Sequence, residues 1–173
     1  MPQNLEIKTR IADLAAARAA VVALGARYVA TEEQVDRYYE IDGGRRVKLR
    51  TIDGQAAHLI HYHRPETGAV RTSDYELTPV RDAAAGACLV PQGEPLVVVR
   101  KRREIHLHEN VRIHLDQVDG LGTFLELEAM VDATHDAAGC QAAIATITRA
   151  LALSEADFLR ASYADLQRRG GTA

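Results

Sequence analysis

A chain of 173 residues with 47% hydrophobic and 26% charged side chains is ordinary for one globular domain, and a single domain over 1–173 is expected. The formal net charge of −3 and pI near 6.2 give no overall field to draw in nucleic acid or an acidic membrane, so any anion-binding capacity is local. Cys88 and Cys140 lie far apart without a CxxC partner, which argues for neither zinc nor a disulfide framework. No apolar run approaches the roughly 20 residues that cross a bilayer, so a cytoplasmic protein is the simplest expectation.

The first strand is predicted over Leu5 to Ile11, where Asn4, Glu6 and Lys8 alternate with Leu5 and Ile7. Asp13 is suited to cap a helix, LAAARAAVVAL, that stops at Gly25, a residue fit for the left-handed end position. β-branched and aromatic residues from Arg27 to Glu40 and from Arg45 to Ile52, split by Asp42-Gly43-Gly44, read as a hairpin. Asp53-Gly54 turns the chain into a strand from His58 to Arg64, and the loop PETGAV leads to another from Ser73 to Thr78. A brief Ala-rich helix is predicted from Asp82 to Leu89. Past PQGEP come strands from Leu96 to Glu109, Val111 to Val118 and Phe124 to Val131. A helix from about Asp136 to Ala152 and a second capped by Ser154, with Asp157 at its third position, close the chain. No repeat, linker or low-complexity tract is present beyond the Ala bias and the tail RRGGTA.

Alternation within these strands sorts the side chains. One face takes Glu6 and Lys8; Arg46, Lys48 and Arg50; His61 and His63; Lys101 and Arg103; Arg112, His114 and Asp116; Glu126 and Glu128. The other takes Val47 and Leu49, Ile60 and Tyr62, Val111, Ile113 and Leu115, and Leu125 and Leu127. An antiparallel sheet ordinarily turns its charged face to water, and such residues then form cross-strand salt bridges of little worth. If the sheet instead closes on itself with the apolar faces outward under the helices, the charges line a channel. That channel must be hydrated and filled by a polyanion with its metals, because unpaired buried charge is prohibitively costly.

These residues carry a resemblance over nearly the whole chain. The opening Asn4-Leu5-Glu6-Ile7-Lys8 is similar to a Glu-x-Glu-x-Lys strand. The segment Gln34 to Tyr39, the alternating Arg46, Lys48 and Arg50, Tyr62 to Pro65 and Arg71-x-Ser73-Asp74-Tyr75 follow. Then come Lys101-x-Arg103, the hairpin HLDQVDGLGTFLELE and Ser162-Tyr163-x-Asp165-Leu166. Together they resemble the CYTH superfamily of triphosphate tunnel enzymes, and most of all its class IV adenylate cyclase branch.

The resemblance implies an α+β fold, a closed eight-stranded antiparallel β-barrel with a charged lumen and helices packed outside. It implies Glu6, Glu126 and Glu128 as ligands of Mg²⁺ or Mn²⁺, hard cations that favour oxygen donors. Lys8, Lys48, Arg50, His63, Arg71, Lys101, Arg103 and Arg112 become the phosphate cradle. Lys8, Arg103 and Asp116 become the catalytic groups, Asp116 as a base or ligand. The implied reactions are attack of the ribose 3′-hydroxyl of ATP on the α-phosphorus with loss of pyrophosphate, or hydrolysis of an inorganic or organic triphosphate such as thiamine triphosphate. The implied partner is a small-molecule triphosphate, with no nucleic acid or membrane, and the resemblance admits a homodimer.

Two departures stand out. Asn4 replaces a Glu, removing one anionic ligand, and His63 replaces a Lys, exchanging a permanent cation for a titrating one. Both leave room for a specialised enzyme or a binder without turnover. A rival reading pairs His61 with His63, or His106 with His108, as imidazole ligands of a transition metal.

Overall fold

The structure, a computed structural model, describes residues 3–41, 45–54, 56–63 and 71–170, with side chains at 45, 56, 62, 63 and 71–75 outside that description. In chain order the elements are β1 (Gln3–Arg10), α1 (Leu14–Ala23), β2 (Arg27–Ile41), β3 (Arg45–Ile52), β4 (Ala56–His63), β5 (Arg71–Val80) and α2 (Ala83–Ala87). They continue with β6 (Val97–His108), β7 (Val111–Val118), β8 (Gly122–Val131), α3 (Ala137–Ala150) and α4 (Tyr163–Gly170). The strands pair antiparallel in the order β1-β5-β4-β3-β2-β6-β7-β8, and β8 pairs with β1 to complete a ring.

Local chemistry sets the ends of these elements. Asp13 caps α1, accepting from the amides of Ala15 at 2.9 Å and Ala16 at 3.0 Å, and Gly25 ends it at φ +87°. Asp136 caps α3 through the Gly139 amide at 2.8 Å. The apex at 42–44 and the loop PETGAV lie outside the described residues.

Ser154 starts no α-helix. One 3₁₀ turn, Glu155–Asp157, follows it without a side-chain cap, and the closing helix begins at Tyr163 instead. Tertiary contacts explain the shift: the Leu159 amide donates to the Lys8 carbonyl at 2.8 Å, and Phe158 bridges to Thr9, so the chain stays extended there. Ser162 then caps α4 reciprocally with Asp165, Oγ accepting from the Asp165 amide at 3.1 Å while Oδ2 accepts from the Ser162 amide at 3.1 Å.

Most of the apolar core lies outside the ring. Leu5, Ile7, Val111, Ile113, Leu115, Leu125 and Leu127 pack with Val21 of α1 and Cys140, Ile144 and Ile147 of α3. A second cluster joins Val47, Leu49, Ala57 and Leu59 to Val90 near α2, where a side chain at Gly86 would collide with Leu49. A third, of Tyr38, Val99, Val118, Phe124, Tyr163 and Ala164, sits where α4 covers one end of the lumen. No described helix is long and apolar enough to cross a membrane.

Candidate active site

Because directly paired residues of antiparallel strands share a face, the register places the inner surface. Lys8 stands opposite Glu126, Glu126 opposite His114, Arg103 opposite Asp116, and Asp36 opposite Arg50. A cavity of about 580 Å³ is lined by Asn4, Glu6, Lys8, Lys48, Arg50, Lys101, Arg103, Arg112, His114, Glu126 and Glu128, among others. The expected inner face is therefore assembled on β1, β3, β6, β7 and β8. On β4 the expectation fails: Ile60 and His58 line the cavity, while His61 stands opposite Val47 on the outer face. That strand has apolar residues on both faces, Leu59 in the outer cluster and Ile60 within, so polarity alone gives the wrong sign. The side chains of His63 and Arg71 lie outside the described residues; the Arg71 backbone pairs with Glu6.

At the covered end, two buried carboxylates hold the cations. Asp36 is wholly buried and accepts from Arg50 at 2.7 and 2.8 Å and from Lys101 at 3.0 Å, with Lys48 at 3.5 Å. Burial pushes its carboxyl up, but Arg50, Lys101 and Lys48 together hold it well below the usual range. Asp116 accepts from Arg103 at 2.7 and 2.6 Å and from the Tyr163 hydroxyl at 2.7 Å. Burial again raises this carboxyl and Arg103 lowers it, with a net depression. Lys101 has its ammonium lowered to about 8, chiefly by burial. Burial lowers the Arg103 guanidinium, yet Asp116 and Glu126 raise it well above its ordinary value.

Neither Asp36 nor Tyr163 was singled out by the alternation as a site group. The signal for Asp36 was present, since it shares a face with Gln34 and Tyr38 and meets Arg50 across the β2–β3 pair. β2 carries charge on both faces, so its alternation is mute. Tyr163 comes from α4, which strand patterning does not reach; Lys8 Nζ lies 3.9 Å from its ring centroid.

Further along the lumen the acidic residues meet basic ones. Glu126 lies 3.1 Å from Lys8, 3.6 Å from Arg103 and 3.6 Å from His114. Burial raises its carboxyl, and Lys8 and Arg103 bring it well below the usual range. Asn4 Nδ2 donates to Glu128, which also lies 3.5 Å from Arg112 and 3.9 Å from His114. Among the described residues no three His, Cys, Asp or Glu side chains stand together as a metal site. The expected convergence of Glu6, Glu126 and Glu128 is thus not seen as a ready cage. The donor chemistry nonetheless suits a hard divalent ion: Glu6 and Glu128 are directly paired, and Glu126 follows on the same face. Buried Oδ1 of Asn4 and Oε1 of Gln34 have no hydrogen-bond partner among the described residues, so this inner surface has polar capacity to spare.

The rival histidines are accounted for elsewhere. His106 Nε2 pairs with Glu104 at 2.7 Å, and Glu104 accepts from Arg18 of α1 at 3.0 and 2.8 Å, all outside the ring. His108 stands opposite Val111 on that same outer side.

The CYTH domain profile matches residues 2–163. The chain belongs to the CYTH domain family. A Methanocaldococcus jannaschii protein provisionally named an adenylate cyclase is 26% identical over 171 residues, covering 95% of this chain and 98% of that one. A Pyrococcus horikoshii protein of known structure superposes with a TM-score of 0.83 at 24% identity, covering 94% and 98%. A Hippeastrum protein, provisionally named an adenylyl cyclase and described as having a dominant triphosphatase activity, superposes with a TM-score of 0.65 at 14% identity over 96% of each chain. As a CYTH member, the chain has relatives named for cyclase and triphosphatase chemistry.

Proposed function

We propose that this CYTH protein is a divalent-metal-dependent enzyme acting on a triphosphate inside the lumen, most like the class IV adenylate cyclases that convert ATP to cyclic AMP and pyrophosphate. The observation that carries the reading is the cation group at the covered end, Lys48, Arg50 and Lys101 around Asp36 and Arg103 against Asp116. Salt bridges alone would be satisfied by hydrophobic replacement, and buried ion networks cost desolvation energy. A polyanion explains why so many cations are kept at the wall of one cavity.

In this reading Lys8, Lys48, Arg50, Lys101 and Arg103 hold the phosphoryl oxygens, with Arg112 and Arg71 as outer members of the cradle; the register of β4 puts position 63 on the same outer face as His61, so His63 leaves the set. Arg103 presents its remaining N–H groups while both Asp116 oxygens fix its plane. Asp116 does not line the cavity and is clamped by Arg103 and Tyr163, so it positions Arg103 and serves poorly as a proton acceptor. Glu6, Glu126 and Glu128 would hold the metal, Glu126 exchanging its contact with Lys8 for the ion. A bound divalent ion there would acidify the attacking hydroxyl and offset charge on the leaving group. In cyclisation the 3′-hydroxyl would give up its proton to water as its oxygen bonds the α-phosphorus, the bond from that phosphorus to the α,β-bridging oxygen would break, and pyrophosphate would leave with the electron pair.

A triphosphatase uses the same cradle with water as nucleophile. Loss of turnover is the third reading, supported by Asn4 tying up Glu128. One incubation separates them: ATP or tripolyphosphate with Mg²⁺ or Mn²⁺, followed by resolution of products. Cyclic AMP with pyrophosphate supports the cyclase; phosphate with a diphosphate supports the hydrolase. No product from any substrate would defeat the enzymatic reading.

A further inference from the structure

We infer that His114 is a metal ligand, and that its imidazole turns the lumen toward later first-row ions such as Co²⁺, Ni²⁺ and Zn²⁺ in preference to Mg²⁺. This deepens the proposed function and rests on its reading of the lumen as a site where a divalent metal binds.

The β7–β8 register sets His114 on the cavity wall, directly opposite Glu126 and diagonal to Glu128. Its side chain is buried, yet Nδ1 has no hydrogen-bond partner among the described residues. Buried ring nitrogens ordinarily find one. Nδ1 lies 3.6 Å from Glu126 Oε1, and Nε2 lies 3.9 Å from Glu128 Oε2, both too far for a good hydrogen bond. The shorter spacing suits a shared ion better. Two donors each roughly 2.1 Å from one metal stand about 3.0 Å apart at a right angle and about 3.4 Å apart at the tetrahedral angle. His114 Nδ1 and Glu126 Oε1 are thus separated by slightly more than the edge of a coordination polyhedron, and a small approach of the two groups would close it.

The neighbouring carboxylates have other claims on them. Lys8 lies 3.1 Å from Glu126 Oε2, Arg112 lies 3.5 Å from Glu128, and Asn4 Nδ2 donates to Glu128 as well. A cation entering the lumen must draw these carboxylates away from their partners. The Nδ1 lone pair of His114 is available without breaking a hydrogen bond. With the proton on Nε2, that lone pair points toward Glu126 while the N–H faces Glu128, the kind of carboxylate partner that a metal-bound imidazole keeps. Imidazole nitrogen suits the later first-row ions, whereas Mg²⁺ holds to oxygen donors and water. One imidazole among the carboxylates therefore ranks metals differently from an all-oxygen set. His58, also an imidazole on the cavity wall, stands on β4 opposite Arg50 and supplies an internal control.

The test loads the full chain with Mn²⁺ and reads nitrogen hyperfine modulation by pulsed EPR, with calorimetric titrations of Ni²⁺ and Mg²⁺ alongside. The wild type should show modulation from a directly bound imidazole nitrogen. It should persist in His58→Asn and vanish in His114→Asn, each verified as folded by its melting curve. His114→Asn should also weaken Ni²⁺ binding by about tenfold or more while moving Mg²⁺ by about twofold or less. His114→Asp, which puts an oxygen donor in the same place, should shift the preference toward Mg²⁺. Mn²⁺ bound by the wild type without nitrogen modulation, modulation that survives in His114→Asn, or a Ni²⁺ to Mg²⁺ ratio unmoved in both variants would overturn the assignment. Any of these would leave a lumen metal site standing. Binding of none of the three ions by the wild type would overturn the metal reading and this inference with it.

Discussion

Asp36 shows how one residue organises the site. It contacts Arg50, Lys101 and Lys48 and has no exposure of its own, so Asp36→Asn leaves three cations without their shared counter-charge. Removing one member of a buried ion pair costs about 3–5 kcal/mol, and a loss in that range is expected in urea unfolding. Added tripolyphosphate should recover part of it by binding the folded variant, whereas a loss below about 1 kcal/mol would show that Asp36 is not the organiser. Lys101 gives a pH dependence. Burial lowers its ammonium from an ordinary 10.5 to about 8, with Asp36 and Asp116 favouring the charged form and Arg50 and Arg103 opposing it. Between those values the unfolded chain holds the extra proton, so this lysine's contribution to stability rises with pH across that window. Anion binding runs the other way, because the lumen loses a charge above about pH 8. Tripolyphosphate affinity, titrated from pH 7 to 9.5, should weaken through this range in the wild type and less so in Lys101→Met. The sequence exposed Lys101 through its alternation with Arg103 but hid Asp36, since on β2 both Glu33 and Arg37 carry charge on the opposite face.

Among the elements, α4 is the one whose position strand patterning could not supply. Ser154-x-x-Asp157 and Ser162-x-x-Asp165 carry the same capping signal, and local chemistry does not choose between them. The choice comes from long-range contacts, the Leu159 amide on the Lys8 carbonyl and Phe158 against Thr9, which keep the first segment from extending into a helix. The reward for placing the helix later is Tyr163, whose ring lies 5.0 Å from that of Phe124 and whose hydroxyl donates to Asp116 at 2.7 Å. Tyr163→Phe removes one hydrogen bond to a buried charge and should cost about 1.5–3 kcal/mol in denaturant unfolding. The loss should come with a lower kcat on the active substrate, because Arg103 loses part of its positioning. Unchanged stability and kcat would mean that the hydroxyl is dispensable. By contrast β1, β7 and β8 were legible residue by residue. Leu5, Ile7, Val111, Ile113, Leu115, Leu125 and Leu127 are in the outer core and Glu6, Lys8, Arg112, His114, Glu126 and Glu128 line the lumen, while Val118 and Phe124 are apolar residues that face inward, in the cluster under α4.

For the whole molecule, placing most of the core outside the ring frees the inner surface for charge. The sheet can tolerate that surface because its cations and carboxylates neutralise one another until a ligand enters. A metal should therefore act on global stability: Mn²⁺ at millimolar level is expected to raise the melting temperature of the wild type, and Glu126→Gln should reduce that rise. An unchanged melting curve in the wild type would argue against a bound metal. The ring closure followed from the family resemblance, while the wrong face assigned to His61 shows what alternation misses when a strand is apolar on both sides. The arrangement of the metal ligands was not legible either, since Asn4 and Lys8 compete for Glu128 and Glu126 in a way only the register reveals. The most direct test of the account is a crystal structure with tripolyphosphate and Mn²⁺, with manganese located by anomalous scattering. The account predicts manganese beside Glu6, Glu126 and Glu128, with phosphoryl oxygens hydrogen-bonded to Lys8, Arg50 and Arg103. Phosphate and manganese bound only outside the ring, with the lumen ion pairs intact, would contradict it.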